Sequence, residues 1–163
     1  MGGFGGEMRA FWMLPSVIME IIDHPNLVRD YLKAYGFGTI LLVDDDHQLA
    51  ESLKCILADE NFLVDVAHDG DEAMVMVAAN RYDAVVCDIM MPHMRGDDFY
   101  RQATELRPEL KNRFVFISGF GDDPKVRTFL NESGVKCLIK PLPVKKLVDC
   151  VKGLVNVPAS HCG

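Results

Sequence analysis

Three carboxylates stand side by side at Asp44, Asp45 and Asp46, directly behind the apolar run "ILLV" (40–43). A fourth, Asp88, ends the run "AVVC" (84–87), Ser118 ends "FVFIS" (114–118), and Lys140 follows "KCLI" (136–139). Neighbouring carboxylates repel one another, so acids gathered at one rim are tolerable when a divalent cation sits among them. Hard cations such as Mg²⁺ take carboxylate, carbonyl and water oxygens in an octahedron and usually retain several waters. A lysine and a hydroxyl facing those acids would be odd in a plain metal store. They suit an incoming phosphoryl group, whose oxygens can be shared among the cation, an ammonium, a hydroxyl and backbone N–H groups. A carboxylate can serve as nucleophile toward such an anionic group once a cation cancels the repulsion.

These residues need a frame that brings them together. From residue 39 onward, short apolar runs alternate with longer segments of helical spacing. "TILLV" (39–43), "FLVDV" (62–66), "DAVVC" (83–87), "FVFIS" (114–118) and "KCLIK" (136–140) are apolar mostly on consecutive positions, as strands buried on both faces of a parallel sheet are. Between them, Leu49, Leu53, Ile56 and Leu57 share a helical face, as do Val144, Leu147, Val148, Val151 and Val155, while Ala73, Val77 and Ala78 make a weaker stripe. "MRGDDFYRQATELRP" (94–108) groups Phe99, Ala103 and Leu106 and stops at Pro108; "DDPKVRTFLNESG" (122–134) opens on acids and Pro124 and closes on Gly134. Five strands alternating with five helices predict an α/β fold with a doubly wound, five-stranded parallel sheet, because crossovers between parallel strands are almost always right-handed. Function in such sheets gathers at the carboxyl ends of the strands. All the polar residues named above fall there, except that Asp46 also suits a helix cap whose charge favours the helix dipole.

Residues 1–37 stand outside this alternation and form an N-terminal arm; 38–156 make the domain and 157–163 a tail. Within the arm, "SVIMEIIDH" and "NLVRDYLKAYG" each read as a short amphipathic helix, the second with Asn26 as cap and Gly36 at its end. Such an arm docks on the domain, pairs with a second copy as a homodimer contact, or ends an upstream domain; sequence leaves the three open.

Composition excludes several classes of function. A net charge of −7 over 163 residues leaves no clustered excess of Lys and Arg for nucleic acid. The apolar stretch 10–22 is too short to span a bilayer, is broken by Pro15 and Glu20, and lacks the basic leader of a signal peptide, so no membrane association is expected. Five dispersed cysteines with no C-x-x-C pair read as reduced thiols of a cytoplasmic protein. The five histidines are scattered, and no phosphodonor helix is visible among them.

Four segments together, "ILLVDDD" (40–46), "YDAVVCDIMMPHMRG" (82–96), "FVFISGF" (114–120) and "CLIKPLP" (137–143), resemble the response-regulator receiver domain of two-component signalling, as in the chemotaxis response regulator. The spacing agrees as well, with Ser118 30 residues after Asp88 and Lys140 52 after it. The resemblance implies a flavodoxin-like sheet of strand order 2-1-3-4-5. It implies that Asp88 is the phosphorylated nucleophile, charged from a phosphohistidine on a histidine kinase or histidine phosphotransfer domain. Mg²⁺, with Mn²⁺ as a substitute, would be held by Asp45, Asp88 and the backbone carbonyl of Met90, with Asp44 acting mostly through a metal-bound water. Lys140 would pair with the phosphoryl oxygens, Ser118 would hydrogen-bond to them, and Pro141 would follow a cis peptide bond. No substrate beyond its own acceptor residue is implied, since receivers catalyse their own phosphorylation and dephosphorylation.

One position departs from the family. Three residues before the lysine, receivers commonly carry Tyr or Phe as a switch that reports phosphorylation, and here Cys137 stands in that place. Two other readings compete. A haloacid-dehalogenase phosphatase wants D-x-D-x-T or V, but Asp44 and Asp46 are followed by Gln48. A pseudo-receiver would use the pocket for binding a partner without phosphorylation. With only "NVPASHCG" after the last helix, the segment reads as a stand-alone receiver or as the receiver of a hybrid histidine kinase.

Overall fold

The computed structural model describes residues 25–119 and 123–155. The chain divides into two units, residues 1–36 and 37–163. In the first, α1 (Pro25–Ala34) is the described element. Pro25, with no N–H to satisfy, opens this helix, so Asn26 lies inside it and is not its cap. Gly36 has φ 85°, the left-handed conformation expected just past a helix end. The segment "SVIMEIIDH" and the tail 157–163 lie outside the described residues.

In the second unit, runs of β-branched and apolar residues form five parallel strands: β1 (Gly38–Val43), β2 (Phe62–Ala67), β3 (Ala84–Asp88), β4 (Phe114–Ser118) and β5 (Lys136–Ile139), in the order β2-β1-β3-β4-β5. The sheet is thus the flavodoxin-like one expected. Every residue of β1, β3 and β4 is buried, matching the uninterrupted apolar runs. The strands at either edge differ: β2 is mostly half-buried, and β5 is short, with Lys136 and Ile139 exposed. An edge strand has a neighbour on one side alone, so the expectation of burial on both faces holds for the central three.

Helices α2 (His47–Asp59), α3 (Gly70–Ala79), α4 (Gly96–Leu106), α5 (Pro124–Ser133) and α6 (Val144–Val155) follow the successive strands. One face of the sheet packs Leu41, Val43, Cys87 and Phe116 against Ala73 and Val77 of α3, Phe99 and Ala103 of α4, and Phe129 of α5. The other packs Ile40, Leu42, Val86 and Ile117 against Leu53 and Leu57 of α2 and Leu147 and Val151 of α6. Full burial of each such aliphatic or aromatic side chain contributes roughly 1.5–3 kcal/mol. Three stripe residues fall elsewhere than expected. Leu106 is 49% exposed, and Tyr100 joins Phe99 and Ala103 on the buried face of α4 in its place; Ala78 is exposed on α3, and Val144, at the start of α6, is exposed while Leu147, Val148 and Val151 are buried. A 3₁₀ turn, Pro108–Asn112, which the sequence reading did not anticipate, links α4 to β4.

The caps explain where the helices start. Asp46 Oδ1 accepts from the N–H groups of Gln48 and Leu49 at 3.0 and 3.1 Å, which makes it the cap of α2. At α3, the cap Asp69 accepts from Glu72 N–H at 2.7 Å, while Glu72 Oε2 reaches back to accept from the N–H of His68, the residue before the cap, also at 2.7 Å. Asp123 caps α5, Pro124 occupies its first position, and Gly134 at φ 67° closes it, as the sequence suggested. No helix among the described residues is long and apolar enough to cross a membrane.

Candidate functional site

Register assembles the site. Val43 of β1 is level with Cys87 of β3, so Asp44 and Asp88 each stand one step farther at neighbouring strand ends. Asp88 is level with Ile117, and Ser118 with Ile139, which puts Ser118 and Lys140 at the next two strand ends along the rim. The N–H of Lys140 donates to the carbonyl of Ser118 at 2.9 Å, and the N–H of Ile89 to that of Ile117 at 3.0 Å, so the ladder holds these residues up to the rim. The Lys140–Pro141 peptide is cis.

At the centre, Lys140 Nζ donates to Asp88 Oδ2 at 2.7 Å and lies 3.9 Å from Asp44 Oδ2. Asp88 Oδ1 accepts from the N–H of Met90 at 2.7 Å, and Asp44 Oδ1 from the N–H of Asp46 at 2.9 Å. Carboxylate oxygens of Asp44, Asp45 and Asp88 lie within 4.8 Å of one another. Asp44 and Ser118 are fully buried, Asp88 nearly so, and Asp45 is exposed at the mouth. All six residues singled out, Asp44, Asp45, Asp88, Met90, Ser118 and Lys140, therefore sit on one rim. Asp46 faces its own helix as a cap. Gly119, next to Ser118, is exposed with open space where a side chain would be.

Among the described residues, three carboxylates face one ammonium at this rim. Burial, followed by the charge of Asp88, pushes the Asp44 carboxyl up to about 6, although the Asp46 amide and Lys140 act the other way. Burial opposes the charge on Lys140 as well, but the hydrogen bond and the charge of Asp88 outweigh it and raise its pKa. Asp44 Oδ2 is buried and accepts no hydrogen bond from the described residues. A buried carboxylate oxygen without a donor is costly. The donor chemistry of this set of oxygens fits a hard dication such as Mg²⁺.

Two thiols border the site. Burial and the charge of Asp88 push Cys137 up to about 11, and Cys87, fully buried, well above the ordinary range, so both stay protonated. The four described cysteines, Cys55, Cys87, Cys137 and Cys150, are free. Cys137 is level with Phe116 on β4, and no aromatic ring occupies its own position. The histidines are less scattered than their spacing suggests. His47, at the start of α2, stacks on His68, just past β2, with ring centroids 3.7 Å apart. Nothing in the sequence links two residues so far apart on different elements.

A family model for the response regulator receiver domain matches residues 40–152. The chain belongs to this family. Response regulator MprA of Mycobacterium ulcerans (strain Agy99) is 48% identical over 118 residues, covering 72% of this chain and 50% of its own. The chain thus spans about half the length of these curated relatives. Among solved structures, the receiver domain of the Francisella response regulator 1452 superposes with a TM-score of 0.62 at 28% identity, over 72% of this chain and 96% of that one. A CheY-like receiver domain protein from Methanospirillum hungatei JF-1 gives 0.66 at 27%, over 73% and 94%. Receiver domains of this family bind Mg²⁺ through acidic residues and interact with histidine kinases or phosphotransfer proteins. Nothing in these relatives supports the pseudo-receiver alternative.

Proposed function

We propose that this receiver takes a phosphoryl group onto the carboxylate of Asp88 from a phosphohistidine of a histidine kinase or histidine phosphotransfer domain. The carrying observation is the contact of Lys140 Nζ with Asp88 Oδ2 at 2.7 Å beside the unsatisfied, buried Oδ2 of Asp44. Asp45, Asp88 and the Met90 carbonyl would hold Mg²⁺, with Asp44 acting mostly through water, and the cation would cancel the repulsion between nucleophile and phosphoryl group. Mn²⁺ would substitute.

The chain's own residues do the rest. Met90 N–H fixes one oxygen of Asp88, so the carboxylate cannot turn away from the incoming phosphorus. As the new O–P bond forms, the P–N bond to the donor imidazole breaks, and negative charge gathers on the phosphoryl oxygens. Lys140, paired with Asp88 in the resting protein, then shifts its ammonium to those oxygens. The Ser118 hydroxyl hydrogen-bonds to the same group. The acyl phosphate is labile to water, which limits the lifetime of the signal. Cys137 cannot supply the ring that commonly reports phosphorylation, so output proceeds without that swing.

The site of modification is testable by chemistry specific to acyl phosphates. Borohydride converts a phosphorylated aspartate to homoserine, and peptide mapping after treatment with phosphoramidate and Mg²⁺ should find homoserine at residue 88. Homoserine at another aspartate would move the acceptor; none at all, with metal bound, would remove it.

A further inference from the structure

The loop between Asp88 and α4 folds back on itself. The N–H of Gly96, the first residue of α4, donates to the carbonyl of Ile89 at 2.9 Å, closing residues 89–96 into a ring, and His93 takes φ 64° within it. A Cβ built on Gly96 would stand 2.4 Å from the carbonyl oxygen of Asp88, 2.8 Å from Cα of Ile89 and 3.1 Å from Sγ of Cys87. The first two are backbone atoms inside a fully buried strand and its continuation, and cannot rotate away as a side chain can. The start of α4 therefore rests on the peptide backbone of the acceptor residue with no side chain between.

We infer that Gly96 is a positioning residue for phosphoryl transfer, holding the Asp88–Met90 backbone where the carboxylate meets Lys140. The inference rests on the acceptor role proposed for Asp88. Non-bonded atoms pack best at about 3.5 Å or more, so a methyl group here must drive the backbone of Asp88 away by about 1 Å. The same displacement shifts the Met90 amide, whose N–H holds Asp88 Oδ1 at 2.7 Å, and the Met90 carbonyl beyond it. Arg95, the residue before, offers no side-chain cap to α4, so the backbone contact at Gly96 is what seats this helix end.

The test is Gly96→Ala in the full chain, beside Gly153→Ala, whose added methyl meets open space on α6. A misplacement of about 1 Å at a reacting group costs roughly a hundredfold in rate. Gly96→Ala should slow phosphorylation by acetyl phosphate by about that factor at saturating Mg²⁺, weaken Mg²⁺ binding roughly tenfold, and move the Met90 amide resonance, with far-ultraviolet circular dichroism unchanged. Gly153→Ala should behave as wild type in all three. A folded Gly96→Ala protein with wild-type rate, Mg²⁺ affinity and Met90 resonance overturns the inference. If Gly96→Ala does not fold, a Mg²⁺ titration of the wild-type protein followed by amide resonances decides the matter. The Gly96 and Met90 signals should then move together with one midpoint while Gly153 stays still, and an unmoved Gly96 overturns the inference. A wild-type protein that neither binds Mg²⁺ nor takes a phosphoryl group overturns the acceptor reading instead.

Discussion

Each end of the sheet carries a carboxylate beside a cation, and the two are built differently. At the amino end, Asp83 Oδ2 accepts from both the N–H and the hydroxyl of Thr39, at 2.9 and 2.8 Å, and Oδ1 lies 3.5 Å from Nη1 of Arg113. Arg113 also donates to the Asp83 carbonyl at 3.2 Å. At the carboxyl end, Asp44 has one oxygen bonded to the Asp46 amide, while the other is buried with no donor among the described residues, 3.9 Å from Lys140. The first carboxylate is satisfied by the chain itself and pins β1 to β3. The second keeps one buried oxygen without a donor among the described residues, the oxygen proposed to face the cation. A closed network of polar groups holds a fold together, whereas an open one at a strand-end rim holds a ligand.

The largest effect that can break this contrast comes from the acceptor. Asp88→Asn should remove labelling by acetyl phosphate altogether, read by mass spectrometry, since an amide cannot form the acyl phosphate. Labelling of the variant at the wild-type rate would mean that the open end of the sheet is not the reacting end. Next comes the closed end. Asp83→Ala should lower unfolding free energy by about 1–3 kcal/mol, because the buried Thr39 donors lose their acceptor, with Mg²⁺ affinity unchanged in the folded protein. A urea titration and a Mg²⁺ titration of the same variant separate the two.

Asp44→Asn should do the opposite. It should weaken Mg²⁺ binding by roughly 10–100-fold, the scale for groups that act behind a metal's direct ligands. It should also leave the metal-free protein at neutral pH as stable as wild type or more so, since a poorly solvated charge is gone. Loss of stability there, of the size expected for Asp83→Ala, would erase the distinction between the two ends.

The smallest effect is the pH dependence that Asp44 brings. Its pKa is raised in the folded protein, from the ordinary 3.8 to about 6, so the folded state binds the proton more tightly than the unfolded chain. Its contribution to stability is therefore fully present below pH 3.8 and is lost as pH rises through about 6. Mg²⁺ affinity should run the other way, climbing over that window as the carboxylate ionises. Thermal melts of the metal-free wild type and Asp44→Asn across pH 4 to 7 should differ in slope by this one group; parallel curves would contradict it.

Much of this was legible in the sequence because the information is local. The runs at 40–43, 84–87 and 114–118 are apolar without a break, and a polar residue that follows or ends such a run at its carboxyl end has few places to go but the rim. Caps such as Asp46 and Asp123, and the stop at Gly134, are decided within four residues of the helix end. What escaped depends on pairs far apart. β5 carries the same kind of apolar letters as β3, and only its place at the sheet edge exposes Ile139. Leu106 and Tyr100 lie on the same helix, and tertiary packing selects the ring, which meets Phe114, Phe116 and Phe129. The stacking of His47 on His68 and the contact of Gly96 with the Asp88 carbonyl likewise exist only once the strands are in register. Asp83 and Asp44 look alike as letters, and their difference is whether Thr39 donates to the second oxygen or Lys140 stands 3.9 Å from it.

The contrast between the two ends rests on the proposed transfer of a phosphoryl group to Asp88 with the help of a cation. Intact mass after incubation with acetyl phosphate tests it directly, with and without Mg²⁺, beside Asp88→Asn. The wild type should gain one phosphoryl group, dependent on Mg²⁺ and absent from the variant. An unmodified wild-type protein that is folded and has Mg²⁺ bound would contradict it, and so would a gain that survives Asp88→Asn.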